Sequence, residues 1–147
     1  MKRKEILGAP VTDLKSAVIL GHVTEVALGL EELRVLGLYV RRTGAGRRIG
    51  FVPLEAVETL CPRVVLFSGA MARAKKPRRI EEACVLDLQG RFLGRAKDLD
   101  FDPACGQIRR FWMKRSLTDA SVDILGESGI HRGADGNFVV TGSTQSE

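Results

Sequence analysis

Leu20-Gly21-His22-Val23-Thr24-Glu25 returns later in the chain as Leu93-Gly94-Arg95-Ala96-Lys97-Asp98, and this recurrence decides the fold. Outward from it, residues 80 to 140 lie over residues 6 to 67 with a shift of 73 or 74. Val11-Thr12-Asp13 meets Val85-Leu86-Asp87, Val35 meets Ile108, Leu38 meets Phe111, Val57 meets Ile130, and Val64-Val65 meets Phe138-Val139. Single apolar matches arise by chance, but a repeated Asp, a Leu-Gly pair and a following acid at one shift indicate a duplicated unit. Each unit then has about 65 residues, close to the smallest size that sustains its own core. Packing of the halves on each other, or association into a homo-oligomer, would relieve that shortage.

Within each unit the apolar residues come in short runs rich in Val, Ile, Leu and Phe, broken by Gly, Asp or Pro every eight to twelve residues or so, the pattern of many short strands. Strands are expected at Pro10 to Asp13, Ala17 to Leu28, Arg34 to Arg41, Ile49 to Pro53 and Arg63 to Phe67, with one helical or 3₁₀ turn between Pro53 and Glu58. Asp13 and Asp87 sit between strands, where a carboxylate accepts turn N–H groups. Gly21 and Gly94 interrupt strands, which permits the bulge or sharp coil that closes a short sheet. Gly29-Leu30-Glu31-Glu32 and Asp102-Pro103-Ala104-Cys105-Gly106 read as hairpin turns. The expected organisation is a first domain at 1–67, a basic linker at 68–79, a second domain at 80–142 and a disordered tail at 143–147.

The 147 residues carry 23 Lys and Arg against 18 Asp and Glu, and the excess is uneven. Residues 1–67 have a net charge of +3, residues 68–79 of +5 and residues 80–147 of −3. No apolar stretch approaches the roughly 20 residues of a membrane-spanning helix, and a soluble, cytoplasmic protein is expected. Cys61, Cys84 and Cys105 have neither CxxC spacing nor a nearby His, which argues against a disulfide frame or a zinc site and for a reducing compartment.

The order of strand, Asp-containing turn, Leu-Gly strand, acid, hairpin, apolar strand and Pro-Leu-x-x-Val segment resembles the PRC-barrel family. That family includes the cytoplasmic domain of the photosynthetic reaction-centre H subunit and the C-terminal domain of a ribosome-maturation factor. In the first half the likeness is carried by Leu7-Gly8-Ala9-Pro10-Val11, Leu20-Gly21-His22-Val23, Val35-Leu36-Gly37-Leu38 and Phe51-Val52-Pro53-Leu54-Glu55-Ala56-Val57. In the second it is carried by Val85 to Gly94, Asp98 and Asp102 to Ile108, while Ser116 to Ser121 is polar and Ile124-Leu125-Gly126-Glu127 replaces the Pro-Leu segment. The resemblance implies an all-β fold of two small antiparallel β-barrels in tandem, and a binding or scaffold module without catalytic residues or cofactor.

The residues themselves offer no nucleophile motif, metal spacing or phosphate loop, and neither His22 nor His131 lies in one, so no enzyme is expected. Asp98, Asp100 and Asp102 alternate along a strand and read as a solvated acidic face, with Leu99 and Phe101 turned inward. Around the only Trp, alternation sends Arg110, Trp112 and Lys114 to one face and Phe111 and Met113 to the other. Candidate macromolecule-binding residues are Arg41, Arg42, Arg47 and Arg48, which flank a glycine hairpin, and Lys75, Lys76, Arg78 and Arg79 of the linker. Arginines of this kind pair with carboxylate or phosphate. A protein partner is expected, with RNA in ribosome or RNA maturation as the alternative. Peripheral contact of the linker with an anionic membrane lacks an apolar wedge.

Overall fold

The computed structural model describes residues 1–29, 33–44, 46, 48–115, 119–123, 130–132, 137–141 and 144–146. The chain is all-β, built as two curled, barrel-like units. The first contains β1 (Pro10–Asp13), β2 (Ile19–Gly29), β3 (Arg34–Arg42), β4 (Ile49–Pro53), β5 (Val57–Cys61), β6 (Val64–Phe67) and β7 (Ala72–Ala74). The second contains β8 (Cys84–Leu86), β9 (Phe92–Phe101), β10 (Ile108–Lys114), β11 (Asp119–Asp123), β12 (Ile130–Arg132), β13 (Phe138–Val140) and β14 (Thr144–Ser146). The strand orders are β5-β6-β1-β2-β3-β4-β7 and β12-β13-β8-β9-β10-β11-β14, the same order twice.

The duplication extends to individual registers. Val11 faces Gly21 and Thr12 faces Ile19, as Val85 faces Gly94 and Leu86 faces Phe92. Glu25 faces Tyr39 as Asp98 faces Trp112, with a bulge just before each acid. The two sequence shifts also find their cause. The turn from Asp13 reaches its left-handed residue at Ala17, whereas the turn from Asp87 reaches Gly90, so the first turn is one residue longer. From there the shift stays at 73 through β3 and again in β5 to β7; Val11 pairs with Val65 and Val85 with Phe138, which makes Val65, not Val64, the counterpart of Phe138. The β3–β4 connection is three residues longer than β10–β11, since Arg41 pairs with Ile49 but Lys114 with Asp119.

Three features depart from the sequence reading. The barrels are not purely antiparallel, because β6 lies parallel to β1 and β13 parallel to β8; each unit returns its last hairpin to the far side of its first strand. The basic segment 68–79 is not only a connection, since Ala72–Ala74 pairs with β4. The tail is not frayed over Thr144–Ser146, which pairs with β11 as β7 does with β4. In both places a small or polar run completes a sheet edge through backbone hydrogen bonds that need no apolar side chain. The helical turn narrows to Leu54–Ala56, and Val57 opens β5. The replacement Ile124-Leu125-Gly126-Glu127 and the Leu30 to Glu32 turn lie outside the described residues.

Glycine does the work expected at the tight crossings. A Cβ on Gly21 would lie 2.3 Å from the Arg41 carbonyl oxygen, and one on Gly94 would lie 2.6 Å from that of Lys114. Asp13 Oδ1 accepts the Lys15 N–H at 3.2 Å, and Asp87 Oδ1 accepts those of Gln89 and Arg91 at 2.9 Å. Phe67, Phe101 and Phe111 are fully buried, each contributing about 1.5–3 kcal/mol of apolar transfer. Ile6 and Val65 of one unit and Ile80 and Phe138 of the other belong to one continuous buried cluster, so neither small barrel has to supply a core alone.

Candidate binding surface

The two units meet about a local two-fold axis. The Val35 N–H donates to the Gly106 carbonyl at 2.7 Å and the Ile108 N–H to the Leu33 carbonyl at 3.3 Å, while Arg34 bridges to Gln107, its own counterpart in the repeat. Beside this seam Arg3 is completely buried. Its Nε donates to Glu25 Oε1 at 2.6 Å and its Nη2 to Glu25 Oε2 at 2.9 Å; Nη2 also reaches Glu81, and Nη1 lies 3.8 Å from Asp98. Glu25 Oε2 also takes the Ile80 N–H at 3.2 Å, and Asp98 Oδ1 takes the Lys4 N–H at 3.2 Å, so the acid of each repeat caps the segment that leads into the other unit.

One guanidinium thus faces three carboxylates. Burial works against the Arg3 charge, but the hydrogen bond and attraction from Glu25, with Glu81 and Asp98, outweigh it and raise its pKa. Burial pushes the Asp98 carboxyl above the ordinary range despite the Leu99 and Lys4 N–H donors. Burial also opposes the Glu81 charge, yet Arg3 and Arg79 hold that carboxyl below the ordinary range. The expected solvated acidic face is therefore corrected. Asp98 is buried at the joint, Asp100 takes the Met1 amino group at 2.7 Å and Asp102 takes Arg109 at 2.8 Å, while Leu99 and Phe101 do point inward. The bulge before Asp98 lets it and Leu99 both be buried, which strict alternation forbids. Trp112 packs as a half-buried ring with Lys2 Nζ 4.7 Å from its centre.

The predicted cations divide into two sets. Arg78 lies 3.8 Å from Glu82 and Arg79 3.1 Å from Glu81, so both are turned toward the second unit's acids. Arg41, Arg42, Arg48, Lys75 and Lys76 are exposed, and among the described residues no carboxylate is within ion-pair distance of them. Arg47 lies outside the described residues. The Arg42 N–H donates to the Arg48 carbonyl at 2.8 Å, Arg41 pairs with Ile49, and Ile49 pairs with Ala74. This pairing carries the hairpin and the linker cations to one place, an open groove lined by Arg48, Ile49, Arg73, Ala74 and Lys75.

Two residues, one in the groove and one buried at the joint, escaped the sequence. Arg73 has no signal in the sequence beyond its share of the +5 charge of residues 68–79, and it needs the β4·β7 pairing to gain a position. Arg3 carried no local signal, although the acid repeated after Leu-Gly marked its partners Glu25 and Asp98. Among the described residues no group of three His, Cys, Asp or Glu is placed to hold a metal ion, and all three cysteines are free thiols. No helix among the described residues is long and apolar enough to cross a membrane. No family model matches the chain, and no curated protein matches it.

Proposed function

We propose that this protein is a non-catalytic scaffold module of the PRC-barrel kind that binds an acidic surface of a protein partner in the cytoplasm. The observation that carries this reading is the β4·β7 pairing, which gathers Arg48, Arg73 and Lys75 from separate stretches of chain around Ile49 and Ala74. Cations that meet no carboxylate among the described residues can pair with those of a partner, and the aliphatic floor between them favours a partner that contributes side chains as well as charge. Arg41, Arg42 and Lys76 extend the same positive field, which steers an acidic partner toward the groove.

RNA is a second reading, favoured by Tyr39 and Phe51, whose half-buried rings lie 5.8 Å apart two residues along the strands from Arg41 and Ile49. Aromatic rings among cations can stack on unpaired bases. A pull-down from native lysate with and without nuclease separates the two. The protein reading expects partners that survive nuclease and are lost from the Arg48→Ala/Arg73→Ala/Lys75→Ala variant. Partners released by nuclease support RNA, and capture unchanged by the triple variant overturns the groove as the binding surface.

A further inference from the structure

The large apolar side chains most open to solvent among the described residues are Leu14, Val18, Ile19, Leu88 and Phe92, between 47% and 66% exposed. All five lie at the β1–β2 and β8–β9 turns, and four of them fall at matching places. Leu14 and Leu88 each follow the turn's Asp, and Ile19 and Phe92 each open the returning strand. A turn at the end of a barrel is ordinarily polar. Two copies of the unit have diverged through most of their surface yet keep an aliphatic or aromatic pair at the same two exposed positions.

Both turns stand beside cations. On the first, Lys15 lies in the turn itself, and Arg42 of the neighbouring strand pairs with Gly21, two residues from Ile19. On the second, Arg91 is ion-paired with Asp87 within the turn, and the cations beside it are exposed Arg95 and exposed Lys114, which face each other on adjacent strands. The second half of the chain has a net charge of −3, so the exposed Arg95 and Lys114 beside its turn are not a reflection of overall composition. The single carboxylate of each turn is engaged locally at the surface: Asp13 accepts from Ser16 Oγ at 2.9 Å and Asp87 from Arg91 Nε at 2.7 Å.

We infer that each of the two turns is a docking tip for an anionic lipid bilayer, with Leu14, Val18 and Ile19 of the first or Leu88 and Phe92 of the second entering the interface and the neighbouring cations, those without an ion pair among the described residues, held at the phosphates. A surface that is negative outside and apolar within fits an apolar tip flanked by positive charge, and the two contributions add in interfacial binding. The wedge that the basic segment 68–79 lacks is thus supplied by the turns. The contact is peripheral, involves no spanning segment, and uses apolar side chains other than those that line the groove beside β7.

Flotation with vesicles tests this, using equal parts phosphatidylglycerol and phosphatidylcholine against phosphatidylcholine alone. The intact chain is expected to float with the anionic vesicles only. Leu14→Ser/Val18→Ser/Ile19→Ser and Leu88→Ser/Phe92→Ser are each expected to lower the partition by about tenfold, with a cooperative thermal unfolding transition retained because about half or more of each side chain is already exposed. A Phe92→Trp probe in a Trp112→Phe background should shift its emission to the blue on anionic vesicles. Failure to float with anionic vesicles at low salt overturns the proposal. So does flotation that the turn variants leave unaltered, or an intact chain that self-associates through the turns without binding vesicles. The Arg48→Ala/Arg73→Ala/Lys75→Ala variant keeps both apolar turns, so loss of its protein partners with retained flotation separates this site from the groove.

Discussion

Glu25 and Asp98 occupy the same position of the same repeat, follow the same bulge and lie beside the same arginine, yet the two carboxylates are in different states. Glu25 is gripped by two nitrogens of Arg3 at 2.6 and 2.9 Å, whereas Asp98 has only a 3.8 Å approach from a third. A buried guanidinium can satisfy one carboxylate in a fork, and the other is left to backbone N–H groups and to desolvation. Duplication supplied two acids at the joint, and a single arginine from outside the repeated positions made them unequal. The same asymmetry marks the outer ends of the units, where the three extra residues of the β3–β4 connection place a glycine-rich basic tip on the first barrel only.

Removing the arginine should break the comparison most severely. Arg3→Met leaves Glu25 and Asp98 buried without their counter-charge and is expected to cost about 3–5 kcal/mol in denaturant unfolding. A loss under about 1 kcal/mol would mean that the ion cluster does not hold the units together.

Next in size is the seam at the two-fold axis. Gly106 has φ +83°, and a Cβ there would lie 2.1 Å from the Val35 carbonyl oxygen, whereas Gly90 has φ +80° with nothing near its missing Cβ. Gly90→Ala should therefore cost only the left-handed strain, about 1–2 kcal/mol. Gly106→Ala should cost clearly more, because the Val35–Gly106 hydrogen bond must also open. Equal losses, measured by thermal unfolding of the two variants, would show that the seam yields without penalty.

The smallest effect concerns the two acids directly and turns on pH. Asp98 binds its proton more tightly folded than unfolded, so its contribution to stability is greatest in acid and declines as pH rises from about 3.9 through its raised folded pKa. Glu81 runs the opposite way: its contribution is present above the unfolded value and is lost as pH falls through the lowered folded value. Asp98→Asn keeps an oxygen for the Leu99 and Lys4 N–H groups and should shift neutral-pH stability by less than about 1 kcal/mol while removing the decline on the alkaline side. Glu25→Gln, which dissolves the fork, should cost more. Equal costs for the two variants across pH would make the acids equivalent after all.

Much of the fold was legible because repeats and turns are local signals. The Leu-Gly-x-x-x-acid stretches placed β2 and β9, the Asp residues placed the turns that follow β1 and β8, and the glycines marked the close crossings. Strand limits missed where a backbone dihedral decided them; Ala17 takes φ 59° and so belongs to the turn, not to β2. The candidate surface was half legible. Arg41, Arg42, Arg48, Lys75 and Lys76 stand exposed as a charged loop and linker suggest, but Arg78 and Arg79 are drawn to Glu82 and Glu81, and Arg73 joins the groove through strand pairing.

The amino-acid sequence by itself determined a twice-repeated all-β unit, its turns and the uneven charge, because these follow from periodicity, side-chain chemistry and backbone conformations set over a few residues. Only the tertiary structure decided the parallel return of β6 and β13, the use of Ala72–Ala74 and Thr144–Ser146 as edge strands, and the meeting of Arg3 with acids 22, 78 and 95 residues away. Those outcomes rest on which buried charges find partners and which edges find backbone hydrogen bonds, and both are settled only when distant segments are packed together.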